Sequence, residues 1–331
     1  MRDLSRRLCV LAAASLSLGA AAPAGAQQDT WTGVRRIVAV GDVHGDHDQF
    51  LKVLRAAGVV DKAANWAAGK THLVQVGDVL DRGPDSRKAM DLLMKLERQA
   101  AKAGGAVHPL IGNHEAMILL DDWRYLHPDE PKAFGGIEKF RQAMGPRGKY
   151  GRWIRTHNTA VLINGLLFVH AGITPACARL SLRQINDTVR RELRKKNVMG
   201  IASNPFGPLW TRSLALGAEA RVAPRLAAVL KRYGATHMVI GHSVETEGID
   251  VRAGGGLIRI DVGMSACYGG PAACLVVENR TFYEVRHGRK KRKLALPAAT
   301  TRPSRSTPLL RPSRTSAPAS TWFPMSATSW A

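Results

Sequence analysis

The sequence predicts an α/β fold, on three observations. Five runs rich in Val, Ile and Leu each end at a short string of Gly, Asp, Asn or His: RIVAV before Gly41, THLVQV before Gly77, HPLI before Gly112, LLFV before His170 and HMVI before Gly241. Apolar residues recur at helical spacing between several of these runs. From 236 to 285 the pattern shifts to short apolar segments divided by Gly-rich turns. The five runs read as buried strands, and open α/β sheets hold their ligands just past strand ends, where loops converge on a crevice. The strings GDVHG at 41–45, GDVLDRG at 77–83, GNHE at 112–115, HAG at 170–172 and GHS at 241–243 fall in those places.

Taken in order, residues 1–26 have the pattern of an export signal. Arg2, Arg6 and Arg7 precede an apolar stretch from Leu8 to Ala22, and Ala24-Gly25-Ala26 supplies small residues before Gln27. Ser5-Arg6-Arg7 partly matches a twin-arginine signal, although Cys9 stands where that motif carries an aromatic residue. The stretch is short for a membrane span, which needs about 20 apolar residues, and no later segment is longer and equally apolar. The expected product is an exported chain, periplasmic or secreted, with no transmembrane segment after cleavage.

Residues 30–60 read as strand, loop and a helix that turns Phe50, Leu51, Val53 and Leu54 to one side. A second strand runs to Gly77. Pro84 opens a long helix with Ala89, Leu92, Leu93 and Leu96 at helical spacing, because proline has no N–H to lose in a first turn. Gly104-Gly105 ends it. Residues 115–160 and 174–236 read as helical insertions that rim the crevice. The segments HMVI, GLIRIDV, ACLVVE and TFYEV between 236 and 285 suit a second sheet packed on the first.

This gives a domain over 27–286 and a basic, low-complexity, disordered tail over 287–331. Of the net charge of +22, ten Lys and Arg lie in 286–331 without one Asp or Glu. Such a tail suits a solvated segment or contact with an anionic surface, and no nucleic-acid-binding fold follows from it. With 45% hydrophobic residues, the 331-residue chain can build a full core. Three cysteines lie beyond the signal. Cys267 and Cys274 flank a loop that permits either a disulfide or two free thiols.

Asp42, His44 and Asp78 offer two carboxylates and an imidazole; Asn113, His170 and His242 add an amide oxygen and two imidazoles. A mixed oxygen and nitrogen set without thiolates suits manganese, iron or zinc and disfavours copper(I) or iron–sulfur chemistry. With Asp78 as a bridge, two metals about 3.5–4 Å apart lower the pKa of a shared water and clamp the oxygens of a phosphoryl group. Arg82 and Arg212 are candidates to neutralise phosphate, since guanidinium binds it bidentately. His114 and Asp81 are candidates for an acid pair that protonates the leaving oxygen. Singly, each of these residues has a bland role as turn, cap or surface charge; in this company and order the site reading prevails. His47, His72, His108, His127, His157, His237 and His287 read as surface or core residues.

These blocks are similar to the signatures of calcineurin-like metallophosphoesterases, and DRG with GNHE resembles the phosphoprotein phosphatase superfamily. GDVHGD, VQVGDVLDRGP, GNHEAM, PLWTR at 208–212 and IDVGMS at 260–265 look most like bacterial Shewanella-like protein phosphatases, over about residues 36–285. The resemblance implies a central β-sandwich flanked by helices and a centre of two divalent or trivalent transition-metal ions (Mn, Fe or Zn). One ion would take Asp42, His44 and Asp78, and the other Asp78, Asn113, His170 and His242. It implies His114 as acid paired with Asp81, Arg82, Arg212 and Asn113 on the phosphate, and Tyr268 lining the site. The implied substrate is a phosphorylated protein or peptide, on tyrosine or on serine and threonine, or a small phosphoester. Two alternatives stand beside it: hydrolysis of nucleotides or dinucleoside polyphosphates, and a non-catalytic exported protein that binds polyanions.

Overall fold

The computed structural model describes residues 27–296. The expected signal and most of the tail lie outside that range. Twelve strands and eight α-helices follow one another: β1 (Thr30–Trp31), β2 (Arg36–Val40), α1 (His47–Ala56), β3 (His72–Gln75), α2 (Ser86–Lys102), β4 (Ala106–Pro109), α3 (Asn113–Leu119), α4 (Glu130–Phe134), α5 (Ile137–Met144), α6 (Lys149–Ile154), β5 (Ala160–Ile163), β6 (Leu166–Val169), α7 (Leu182–Lys195), α8 (Glu219–Tyr233), β7 (His237–Ile240), β8 (Asp250–Arg252), β9 (Leu257–Arg259), β10 (Ala273–Glu278), β11 (Thr281–Arg286) and β12 (Arg292–Lys293). Among the described residues no helix is long and apolar enough to cross a membrane.

Two six-stranded sheets result, ordered β12-β11-β10-β2-β3-β4 and β1-β5-β6-β7-β9-β8. Within the first, β2, β3 and β4 run parallel, while β10 lies antiparallel along the other edge of β2. Within the second, β6, β7 and β9 are parallel. β6 shows why these strands are apolar on both faces. Leu166 and Phe168 join a core that includes Val38, Leu73 and Val276 of the other sheet, whereas Leu167 and Val169 meet Ile185 of α7 and Leu226 of α8. A strand covered on both sides gains from Val, Ile and Leu at every position.

Local signals set the helices. The Asp46 carboxylate accepts the Gln49 N–H and caps α1, and Ser181 and Gln184 cap each other at the start of α7. α2 buries Ala89, Leu92, Leu93 and Leu96, the expected stripe, and ends before Gly104 at φ +74°. Four of the five apolar runs are strands over most of their length, and the fifth, HPLI, overlaps β4 at His108 and Pro109.

Two expectations need correction, and one choice left open is decided. The segments after 236 do not form one sheet: β7 and β9 belong with β6, while β10 and β11 extend the sheet of β2. Pairing depends on which edge is free in space, which spacing along the chain does not reveal. Next, order continues past Arg286, because β12 pairs with β11 and Leu294 is buried in the core. The apolar Leu294 and Leu296 go to the core although the residues before them are basic, so the expected boundary between 286 and 287 falls about ten residues too early. Finally, Cys267 is exposed and Cys274 is buried in β10, and both are free thiols.

Candidate metal centre

Every predicted ligand sits one to four residues beyond a strand. Asp42 and His44 follow β2, Asp78 follows β3, Asn113 opens α3 after β4, His170 follows β6 and His242 follows β7. Both sheets therefore contribute. The loops approach closely enough to need glycine: a Cβ on Gly112 would lie 2.2 Å from Asp78 Oδ1, and one on Gly77, at φ +99°, would lie 2.5 Å from the Gly112 nitrogen. His44, Asp78, Asp81, Arg82 and His242 all adopt positive φ, between 46° and 68°. Non-glycine residues in that region carry strain, and a cluster of them marks a functional site.

The side chains converge on Asp78. His44 Nε2 is 3.8 Å from both Asp78 Oδ2 and Asp42 Oδ2, and His170 Nε2 is 3.3 Å from Asp78 Oδ2 and 2.8 Å from Asn113 Oδ1. Ligand atoms of His44, Asp78 and His114 form one group, and those of Asp78, His170 and His242 a second, each within 4.8 Å. Asp78 is common to both. The backbone orients each ring: His44 Nδ1 pairs with the Leu80 carbonyl at 3.2 Å, His170 Nδ1 with the Val76 carbonyl at 2.9 Å and His242 Nε2 with the Trp210 carbonyl at 3.1 Å. In the neutral rings of His44 and His242, donation to a carbonyl from one nitrogen leaves the other unprotonated, as a ligand must be; His170 is opposed by burial, but the Asp78 carboxylate outweighs it and raises the ring above the ordinary histidine value.

Charge points the same way. Asp42, Asp78, Asp81, Glu115 and Asp261 are all buried, and among the described residues Asp42, Asp78 and Asp81 have only histidines as ion-pair partners. Burial, then the neighbouring Asp261 and Asp78 carboxylates, push Asp42 well above the usual range. Burial also weighs on Asp78, but His170 and His114 outweigh it and hold that carboxyl low. Burial lowers His44 and His242 to about 3, so both are neutral. Asp261 Oδ2 and Asp81 Oδ1 lack any hydrogen-bond partner. Buried carboxylates with neutral imidazoles and orphaned oxygens fit a pair of cations.

The two candidates for an acid pair are hydrogen-bonded. His114 Nδ1 donates to Asp81 Oδ2 at 2.7 Å, and its Nε2 lies 3.9 Å from Asp78 Oδ2. Burial opposes charge on the ring, but Asp78 and Asp81 outweigh it and raise His114 above the ordinary histidine value. Arg82 is sandwiched, its guanidinium 4.6 Å from the Tyr125 ring and 5.4 Å from the Tyr268 ring. Arg212 joins the site through His242, whose carbonyl accepts its Nη1–H at 2.8 Å.

Three residues escaped the sequence reading. Glu115 accepts N–H bonds from Asp78 at 2.7 Å, Val79 at 2.8 Å, Leu80 at 3.3 Å and Gly112 at 2.8 Å, fastening the Asp78 loop to α3. Its place three residues after the helix cap was a usable signal. Asp261 faces Asp42 from the IDVGMS string, and Tyr125, from a segment without motif, flanks Arg82.

Residues 35–245 match the family described as calcineurin-like phosphoesterase. The chain is 34% identical over 252 residues to an uncharacterized protein of Schizosaccharomyces pombe, covering 72% of this chain and 76% of that one. It is 29% identical over 284 residues to Shewanella-like protein phosphatase 2 of Arabidopsis thaliana, with 70% and 71% covered. The crystal structure of a cold-active protein-tyrosine phosphatase of a psychrophilic Shewanella species superimposes with a TM-score of 0.74 at 28% identity, over 82% of this chain and 83% of that one.

Proposed function

Since the chain belongs to the calcineurin-like phosphoesterase family, and is a metallophosphoesterase related to Shewanella-like protein phosphatases, we propose that it is an exported phosphomonoesterase acting on phosphorylated protein or peptide. The observation that carries this reading is the His114–Asp81 pair at 2.7 Å, set against the two ligand groups that share Asp78. It supplies the one component a metal pair lacks, a proton for a poor leaving oxygen.

Asp42, His44 and Asp78 would hold one metal, and Asp78, Asn113, His170 and His242 the other. Bound there, manganese, iron or zinc supplies Lewis acidity toward the phosphoryl oxygens and a water of lowered pKa. Asp81 holds His114 Nδ1–H, which fixes the tautomer and keeps Nε2 as the proton donor. Arg82 and Arg212 bind phosphate oxygens, with Asn113 beside them. Arg82 is braced by two aromatic faces, so it is ordered before phosphate arrives.

A peptide substrate is supported by a groove of about 380 Å³ next to α3, lined by the apolar Met117, Leu120, Val198 and Trp210 and by the charged Asp122 and Arg124. Val198 and the nearby Phe206 are exposed, and apolar surface beside a catalytic site suits a chain longer than a phosphate ester. Export is supported by the sequence of residues 1–26 alone.

A substrate panel on the protein of residues 27–331 tests the proposal. Metal-dependent hydrolysis of phosphopeptides is expected, at higher kcat/KM than dinucleoside polyphosphates; the reverse ranking overturns it. Asp78→Asn should lose metal and activity together, because both ligand groups share that anion. Two retained metals with near-normal turnover would sink the bridging role.

A further inference from the structure

Tyr125 is 42% exposed, although the turn that carries it is held firmly. Its carbonyl accepts the Arg82 N–H at 2.9 Å, the Leu126 N–H returns to the Trp123 carbonyl at 3.1 Å, and Trp123 packs edge-on against Phe140 at 5.8 Å. A pinned turn gains nothing in core packing from an aromatic ring left in solvent. The ring is turned toward the site instead. Its centroid is 5.3 Å from that of His114, and the Arg82 guanidinium lies over its face.

With His114 as proton donor, the group bonded to the leaving oxygen departs beside the His114 ring, within reach of Tyr125. A benzene ring there meets Tyr125 at the separation of about 4.5–7 Å at which aromatic pairs attract. The single methylene of a phosphoserine has no such partner. We propose that Tyr125 is a specificity-determining residue, a platform that favours aryl phosphoesters such as phosphotyrosine over alkyl ones by packing against the departing ring. The proposal rests on His114 as the acid. Because the turn is pinned before substrate binds, little ordering is lost when the ring docks. Tyr268 braces Arg82 at 5.4 Å but is only partly exposed, which leaves Tyr125 as the more open of the two rings.

The test compares Tyr125→Leu and Tyr125→Phe on the metal-loaded enzyme. One peptide in phosphotyrosine and phosphoserine forms gives a kcat/KM ratio, and phenylphosphonate against methylphosphonate gives an inhibition ratio free of leaving-group reactivity. Tyr125→Leu should lower both aryl-to-alkyl ratios about three- to tenfold, and Tyr125→Phe should restore them. An equal loss on both members of each pair overturns the platform and reduces Tyr125 to a support for Arg82. If neither peptide is hydrolysed but the phosphonate ratio falls, the platform stands and the peptide-substrate reading fails. An unchanged phosphonate ratio refutes the platform whatever the peptides do.

Discussion

Replacing Glu115 by Gln exchanges one carboxylate oxygen for an NH2 group at a place where every neighbour is a donor. The two oxygens accept four backbone N–H groups, Oε2 from Asp78 and Gly112, Oε1 from Val79 and Leu80. Burial and the Asp78 charge raise the Glu115 carboxyl, but with both oxygens met by donors a carboxyl proton would find no acceptor. The best amide orientation keeps Oε2 as the carbonyl and turns NH2 toward Val79 and Leu80. Two bonds to a charged group are then lost, at about 1.5–3 kcal/mol each, so the cost is at least about 3 kcal/mol.

For a domain of this size that corresponds to a fall in Tm of about 6–12 °C. The loosened segment is the one that presents Asp78, so metal retention should weaken in parallel. Thermal unfolding of the chelator-treated variant isolates the first effect, and metal content after dialysis reads the second. A Glu115→Gln protein with the wild-type Tm and its full metal complement would show that the four bonds do not hold the loop.

Three further outcomes are expected. His114→Asn should keep its metals yet lose about 10²–10⁴-fold in kcat on alkyl phosphates, with a smaller deficit on p-nitrophenyl phosphate, whose leaving group needs less protonation; equal losses count against the acid role. Glu130 caps the start of α2 through the Ser86 and Arg87 N–H groups, and burial raises it from 4.5 to about 7. Its contribution to stability is therefore complete below about pH 4.5 and is lost as pH rises through about 7, a fall of about 3 kcal/mol at about 1.4 kcal/mol per unit; denaturation of Glu130→Gln between pH 5 and 8 should lack that part of the slope, and identical slopes would refute it. Ending the chain at Leu296 should spare small-substrate turnover and weaken any salt-sensitive binding to anionic vesicles, whereas ending it at Arg286 strips β12 and buried Leu294 and should lower Tm by about 3–10 °C. Equal Tm values for the two truncations would remove β12 from the domain.

The strands that carry the site could be read directly because each combines two signals, an apolar run covered on both faces and an immediate glycine-bounded string of ligand-type residues. His114 and Asp81 were likewise readable, since their strings adjoin ligands, and the structure brings them together. Glu115 stood in plain view within GNHE, but its role depends on four N–H groups, three of them in another loop. Tyr125 and Asp261 contribute only through space. The division of 236–285 between two sheets was hidden for the same reason: β9 and β10 are neighbours in sequence, yet β9 finds its partner in β7 and β10 finds β2. Periodicity reports which face of a segment is dry, not which segment dries it.

The pairing of β10 with β2 also bears on the order in which the molecule comes into being. Synthesis delivers β2, Asp42 and His44 early, but the free edge of that strand stays open until Ala273–Glu278 has been made. The His242 amide that meets the Asp42 carboxylate is 200 residues away along the chain. Closing such distant contacts is slow compared with local helix formation, and no continuous stretch shorter than most of the chain holds both sheets' share of the site. A growing polypeptide that has not yet reached His242 therefore lacks part of the ligand set, however many of its other histidines have already been translated. The geometry that hydrolysis requires is assembled late, when the last strands pair with the first.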